Sequence, residues 1–338
     1  MTDAPLVVSG PEGVELAAET LRAGRLVALP TETVYGLGAD ASSPEAVAEI
    51  FRVKGRPRNH PLILHLAEAS AMGDWALEVS PEARALAEAF WPGPLTLLVR
   101  RGAAVGDWVT GGRDTVALRV PGHEVALELL RAFGGGVVAP SANRFGKVSP
   151  TTAAHVVADL GAEVDVVLDG GECSIGVEST IVDVSGGEVV VLRQGGVSVE
   201  ALADLLGFRP RVEQGRAAVG EAAAPGMLAA HYAPVAKVLL CSADQVAAFA
   251  VELCSEDGAV DGSSMVIGLL APRMIENLPA EVIELEPAGE GSEYAHVLYA
   301  RLRQADRLGI THLLCVPPLP VGVGAAVLDR LQRAAASE

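Results

Sequence analysis

Lysine is scarce in this 338-residue chain, three against 22 arginines, aromatic residues make up 4%, and there are four cysteines. Each shortage excludes something. Cys173, Cys241, Cys254 and Cys315 form no C-x-x-C pair and have no closely spaced histidine, so neither a zinc site nor a disulfide framework is expected, and the thiols should be reduced. So few aromatics leave no stacking platform for single-stranded nucleic acid. No apolar run approaches the roughly 18 residues of a spanning helix, and Asp3 stands where a signal peptide would carry bases, so a soluble, cytoplasmic chain with no membrane contact is expected. No G-x-x-x-x-G-K-[ST], H-E-x-x-H or G-x-S-x-G occurs, which removes the P-loop, zincin and α/β-hydrolase readings.

What is present describes a folded protein. Half the residues are hydrophobic and a fifth are charged, a balance that can bury a core, and at about 150 residues per domain the length suggests two domains. The net charge of −18 argues against phosphate-driven binding to long nucleic acid. Its distribution is uneven: residues 51–150 carry +3 and the rest carry −21. A positive island in an acidic chain suits a bounded anionic ligand such as a nucleotide.

Apolar β-rich segments alternate with helical Ala/Leu/Glu segments, which reads as α/β. Strands are expected at 26–30, 62–66, 95–100, 115–120, 137–140, 164–168, 179–184 and 189–193, and helices at 14–23, 44–53, 81–90, 125–133 and 152–160. Ser43-Pro44 and Ser80-Pro81 look like an N-cap followed by proline at the first helical position. Strands that follow one another without a helix imply a mixed sheet. From Phe208 to Ala236 the pattern lapses into a stretch with three prolines and three glycines, expected to be a linker. Beyond it a small α/β layer domain is expected. The boundaries are 10–207, 208–236 and 237–338.

Gly36-Leu37-Gly38-Ala39-Asp40-Ala41 matches G-x-G-x-x-A. The first glycine comes too late after the strand for a dinucleotide fingerprint, so a loop turned by its glycines is the expectation. The run Arg52 to Pro61 holds Arg52, Lys54, Arg56 and Arg58 with no acid; it suits phosphate recognition, or else a solvated helix end. Ser141 and Asn143 follow an apolar strand, where open α/β sheets meet ligands, although asparagine is also a common turn former. Ser179-Thr180 sits at a strand entrance, His65 lies inside an apolar segment, and His231-Tyr232 interrupts the linker, where a lid is as plausible as a tether.

Taken in order, Leu29-Pro30-Thr31-Glu32-Thr33-Val34-Tyr35-Gly36-Leu37, Lys54-Gly55-Arg56-Pro57, Trp91-Pro92-Gly93-Pro94-Leu95-Thr96, Arg119-Val120-Pro121, Pro140-Ser141-Ala142-Asn143 and Glu178-Ser179-Thr180-Ile181-Val182-Asp183 closely resemble the YrdC family, the threonylcarbamoyl-AMP synthases. The match covers about residues 10–205. Pro225-Gly226-Met227 with His231-Tyr232-Ala233-Pro234, and the α/β segment after it, resemble the long two-domain form. The family often has Asn where His60 stands, Ser at Ala224 and a base near Ala230.

The resemblance implies a twisted mixed parallel/antiparallel sheet with flanking helices and a smaller Rossmann-like C-terminal domain. It implies an enzyme condensing L-threonine, bicarbonate or CO2 and ATP to threonylcarbamoyl-AMP and pyrophosphate, for modification of tRNA by a downstream transferase complex. Carried over by motif, Lys54, Arg56, Ser141 and Asn143 form the catalytic tetrad. ATP would also meet Tyr35, Arg193, His231 and Tyr232, and threonine would meet Thr33, Arg58, His65, Arg119 and Ser179. Mg2+ is expected with ATP, without a dedicated carboxylate cage. The alternatives are an RNA-binding module and a carbamoyl-transfer enzyme of hydrogenase maturation. Charge and aromatic content disfavour the first, and the second would need cysteine pairs and an acylphosphatase region. Direct tRNA binding is expected to be weak or absent.

Overall fold

The computed structural model describes residues 4–213, 232–255 and 265–336. The chain divides into two compact units, one within Met1–Phe145 and Ser149–Leu228, the other within Gly146–Val148 and Ala229–Glu338.

The first unit is built on strands β1 Leu6–Val8, β2 Val27–Leu29, β3 Gly36–Asp40, β4 Ile63–His65, β5 Leu95–Arg100, β6 Thr115–Arg119, β7 Val137–Val138, β8 Val166–Leu168, β9 Thr180–Asp183, β10 Val190–Arg193 and β11 Arg211–Val212. They form one sheet in the order β1-β8-β2-β3-β7-β4-β6-β5-β9-β10-β11. Parallel pairs such as β4/β6 and β5/β9 mix with antiparallel pairs such as β2/β3 and β5/β6, the mixed sheet that the consecutive strands imply. Both faces are covered, and the two-residue period of a strand shows it. Val27, Leu29, Val137, Val166 and Leu168 pack with the helices Gly10–Arg22 and Glu124–Phe133, while Ala28, Val138 and Val167 enter the opposite core with the helix Pro44–Lys54. The expected caps form: Ser43 Oγ accepts the Ala46 N–H and Ser80 Oγ the Ala83 N–H, each with proline opening the helix.

The segment Gly36–Asp40 is a strand and not the expected loop. Its glycines serve lateral packing and not a turn. A Cβ on Gly38 would stand 2.8 Å from Leu29 Cδ2 and 3.2 Å from Val137 Cγ1, and one on Gly36 would stand 3.0 Å from Ala139 Cβ. Low β-propensity of glycine concealed the strand from its sequence. The short edge strands β1 and β11 also lie outside the expected set.

The second unit has strands β12 Lys237–Leu240, β13 Ile267–Leu270, β14 Ile283–Glu284 and β15 His312–Cys315, all parallel, in the order β12-β15-β13-β14. The helix Val246–Ser255 packs through Val246, Ala250 and Leu253 on Ile267, Leu269 and Leu314. Tyr232 is buried in this unit, with its ring stacked on Tyr299 at 5.9 Å and the Arg330 guanidinium 5.0 Å from the ring centre. Its φ of 64° puts a bulky residue in the left-handed region, a strained conformation held by this packing. Residues 214–231, with His231 and most of the expected linker, lie outside the described residues.

Of the four cysteines, Cys173 and Cys315 are buried, Cys241 is half-buried and Cys254 is exposed, and all are free. Burial pushes the Cys173 thiol up to about 12.

Candidate functional site

Lys54 ends the helix Pro44–Lys54, and Gly55 in the left-handed conformation (φ 63°) turns the chain sharply away. That turn is the usual use of glycine after a helix. It leaves the Lys54 side chain 3% exposed, with Nζ donating to the carbonyls of Ser141 and Asn143, the latter at 2.6 Å. The loop is tied to the same helix end a second time, since Phe145 N–H donates to Lys54 O at 2.8 Å and Arg144 donates to Val53 O. Burial, then the nearby Arg56, holds the Lys54 ammonium well below the usual lysine range. An anion arriving there would favour the charged form again.

Arg56 is half-buried, donates to Pro61 O at 2.9 Å and lies 6.0 Å from the Phe145 ring centre. His60 meets the same ring edge-on at 5.5 Å, and burial followed by Arg56 holds it down to about 4. Lys54, Arg56, Ser141 and Asn143 therefore share one constellation, with Phe145 as its floor. Arg58 is exposed and makes no hydrogen bond or ion pair among the described residues.

A second constellation forms around Arg119, the last residue of β6. It is 4% exposed and donates to Thr33 Oγ1 at 2.9 Å and Gly93 O at 3.3 Å, and its Nη2 lies 2.8 Å from Glu32 Oε1. Thr31 organises the approach: its Oγ1 donates to Val34 O at 2.6 Å and contacts Thr33 Oγ1 at 2.9 Å. His65, the last residue of β4, is paired in register with Arg119. It is 2% exposed, and its buried Nδ1 has no hydrogen-bond partner. Burial, then the Arg119 charge, takes His65 from 6.5 down to about 3, against the weaker pull of the Ile63 and Val137 carbonyls. At neutral pH a neutral imidazole stands beside a guanidinium.

The two groups are joined through the backbone. Tyr35, two residues after Thr33, accepts the Ala142 N–H at 2.8 Å, and Leu37 donates to Pro140 O at 2.7 Å. The Tyr35 side chain is fully buried, and its hydroxyl donates to Gly171 O at 2.7 Å. Burial raises this phenol far above its ordinary value. Ser179 is also buried, with its Oγ 2.7 Å from Thr96 Oγ1, and Arg193 clamps it through Nη2 to Ser179 O at 2.9 Å and to Oγ at 3.1 Å. Gly195 makes that turn possible, since a Cβ there would stand 2.2 Å from Glu178 O.

Glu32, Thr96, Glu178 and Phe145 were not among the sequence candidates. Glu32 left a signal, as an acid inside the otherwise uncharged Pro30-Thr31-Glu32-Thr33-Val34-Tyr35. Glu178 opens the motif Glu178-Ser179-Thr180-Ile181-Val182-Asp183, but nothing local marks its partner, since it accepts a hydrogen bond from buried Ser149 at 2.7 Å. Among the described residues no group of three or more His, Cys, Asp or Glu could hold a metal ion, and no helix is long and apolar enough to cross a membrane.

A Sua5/YciO/YrdC family model, described as "Telomere recombination", matches residues 19–195. A second, described as "Threonylcarbamoyl-AMP synthase, C-terminal domain", matches residues 197–336. The chain is 40% identical over 326 residues to a threonylcarbamoyl-AMP synthase of Pyrococcus abyssi, covering 95% of this chain and 93% of that one. It is 36% identical to the Bacillus subtilis protein of the same description, over 94% and 92%. The crystal structure of P. abyssi Sua5 complexed with L-threonine matches with a TM-score of 0.88 at 36% identity, covering 98% and 97%. A variant of that protein with an adjacent histidine and tyrosine both replaced by alanine also matches with a TM-score of 0.88.

Proposed function

The chain belongs to the Sua5/YciO/YrdC family of threonylcarbamoyl-AMP synthases, and from that premise we propose how its residues divide the reaction. It is an enzyme that takes ATP as substrate. L-Threonine, bicarbonate or CO2, and ATP give threonylcarbamoyl-AMP and pyrophosphate. The threonine ammonium first gives up a proton, which bicarbonate can take as it loses water to become CO2; the neutral amine nitrogen then bonds to the carbon of CO2 and loses a second proton. A carbamate oxygen then bonds to the α-phosphorus as the bond to the β-phosphate oxygen breaks, and pyrophosphate leaves. This asks for positioning and for cations at the phosphates, with little covalent work by the protein.

The observation that carries the threonine half is the pairing of a buried cation with a neutral imidazole: Arg119, held by Glu32 and Thr33, next to His65, kept uncharged by burial and by the Arg119 charge. Arg119, with Arg58 and Thr33, takes the carboxylate. His65 and Ser179 take the amine and hydroxyl without adding a charge that would repel an ammonium. Lys54, Arg56, Ser141 and Asn143 take the phosphates and the nascent carbamate, Tyr35 and Arg193 support the nucleotide side from behind, and His231 with Tyr232 belongs to a lid. Mg2+ would enter with ATP, carried on its phosphates; among the described residues no group of three or more His, Cys, Asp or Glu could hold it.

The product is consumed by a separate transferase complex acting on tRNA in the cytoplasm. The test is pyrophosphate release from ATP with Mg2+, omitting threonine and bicarbonate in turn. Release requiring both supports the assignment, and turnover indifferent to threonine overturns it.

A further inference from the structure

The second unit holds a cavity of about 640 Å3 that the reaction above does not use. Leu240, Pro272 and Val316 line it, and these residues lie at or just beyond the carboxyl ends of β12, β13 and β15. Parallel α/β sheets meet their ligands outside those ends, where strands turn into loops. The volume is that of a small-molecule site.

The lining chemistry narrows the ligand. Leu240, Ile275 and Leu319 supply apolar wall, and Arg273 and Glu290 supply opposite charges at the same cavity. Arg273 is exposed and has no hydrogen bond or ion pair among the described residues. Among the described residues the Glu290 carboxylate accepts only the Leu319 N–H, at 3.3 Å. The two charges share the cavity and do not pair with each other, which leaves a gap between a cation and an anion above an apolar surface. A phosphate ligand fits less well. The turn from β12 into the helix Val246–Ser255 has no glycine for close approach, and Asp244 already occupies that turn, held below the usual carboxylate range by hydrogen bonds from Ser242 and from its own backbone N–H.

We propose that this cavity binds a small zwitterion of the α-amino-acid type, free or as a short peptide, with its carboxylate on Arg273, its ammonium on Glu290 and an apolar side chain against Leu240, Ile275 and Leu319. A cation and an anion lining one cavity can engage both ends of such a ligand at once.

The test uses the full chain without added threonine, and binding at the reaction site is told apart by its insensitivity to Arg273→Gln and Glu290→Gln. L-Leucine and L-leucyl-L-leucine are titrated by calorimetry or ligand-observed NMR, beside N-acetyl-L-leucine and L-leucinamide, which each lack one charge. One or both zwitterions should bind, and the tighter of the two identifies the source as free amino acid or peptide. Arg273→Gln and Glu290→Gln should each weaken binding about tenfold or more, the blocked analogues should lose as much, and pyrophosphate release should stay unchanged in both variants. Failure of both zwitterions to bind at millimolar concentration would overturn the proposal. So would binding insensitive to both substitutions, or displacement by inorganic phosphate.

Discussion

Replacing His65 with Gln tests whether a neutral imidazole is built into the threonine side of the site. In the folded chain this histidine is held at about 3 by burial and by Arg119, against 6.5 when unfolded. The unfolded chain therefore takes up a proton below 6.5 while the folded chain refuses it until about 3. Stability from this group is present above 6.5 and lost progressively as the pH falls through that window. Between about pH 7.5 and about pH 5 the loss is about 2 kcal/mol, at roughly 1.4 kcal/mol per pH unit below the unfolded value. Trp75, Trp91 and Trp108 all lie in the first unit, so tryptophan fluorescence during urea unfolding reads that unit alone. The wild type should lose about 2 kcal/mol more than His65→Gln over the same acid shift. His60, pushed in the same direction, and the carboxylates contribute to both proteins and cancel. Equal losses would mean that His65 is not held neutral beside Arg119, and the role given to it toward a threonine ammonium would fall with it.

Three further outcomes follow from the same contacts. Lys54→Ala should lower adenylate formation by about 10²-fold or more, the scale for removing a preorganised cation, and should loosen the loop 141–145, read as faster amide exchange at Ala142 and Asn143; normal turnover would refute the phosphate role. Glu32→Gln removes the counter-charge of a buried guanidinium, so it should destabilise the first unit by about 3 kcal/mol and raise the KM for threonine more than that for ATP, whereas equal effects on both would detach Arg119 from threonine. Gly195→Ala forces a Cβ to within 2.2 Å of Glu178 O, so the Ser179 turn must shift and stability should drop by at least about 1 kcal/mol; a neutral result in urea unfolding would show the turn to be pliable.

The sequence was legible where one physical rule acts alone. The Ser-Pro helix starts at Ser43 and Ser80 and the apolar strands β4 to β6 follow local pattern, and the structure has them within a few residues; the second unit was read as α/β, but its parallel pairing was not. It was illegible where the reason is lateral. β3 is Gly-Leu-Gly-Ala-Asp, and its glycines look like turn formers until Leu29 and Val137 are seen closing in from neighbouring strands. The site divides the same way. Lys54 stood out because lysine is rare here, while Arg119 entered only through the resemblance carried by the ordered motifs. The partners of Lys54 are unmarked, since they are backbone carbonyls that have no sequence identity, whereas Glu32 beside Arg119 was visible as a lone acid; the meeting of Glu178 with Ser149, 29 residues apart, has no local pattern behind it.

The positive island at 51–150 also changes meaning once its cations are placed. Lys54 and Arg119 are buried, Arg52 and Arg144 pair with Glu163, and Arg101 pairs with Asp107. Much of the excess is thus turned inward or neutralised, and within the 52–61 run Arg58 is the exposed cation that has no partner. A backbone-tracking groove for RNA needs several free cations in line, because each phosphate neutralised adds about −0.7 to −0.9 to the slope of log K against log salt. Among the described residues Arg58, Arg84, Arg100 and Arg131 are the exposed cations of the island without a partner, and they stand on a loop, two helices and a strand end instead of along one element, so tRNA binding measured by filter retention at low salt should be weak, with a slope no steeper than about −4. A steep slope would mean that the surface engages nucleic acid through groups other than this island, and would revive the RNA-binding reading that the −18 net charge disfavours.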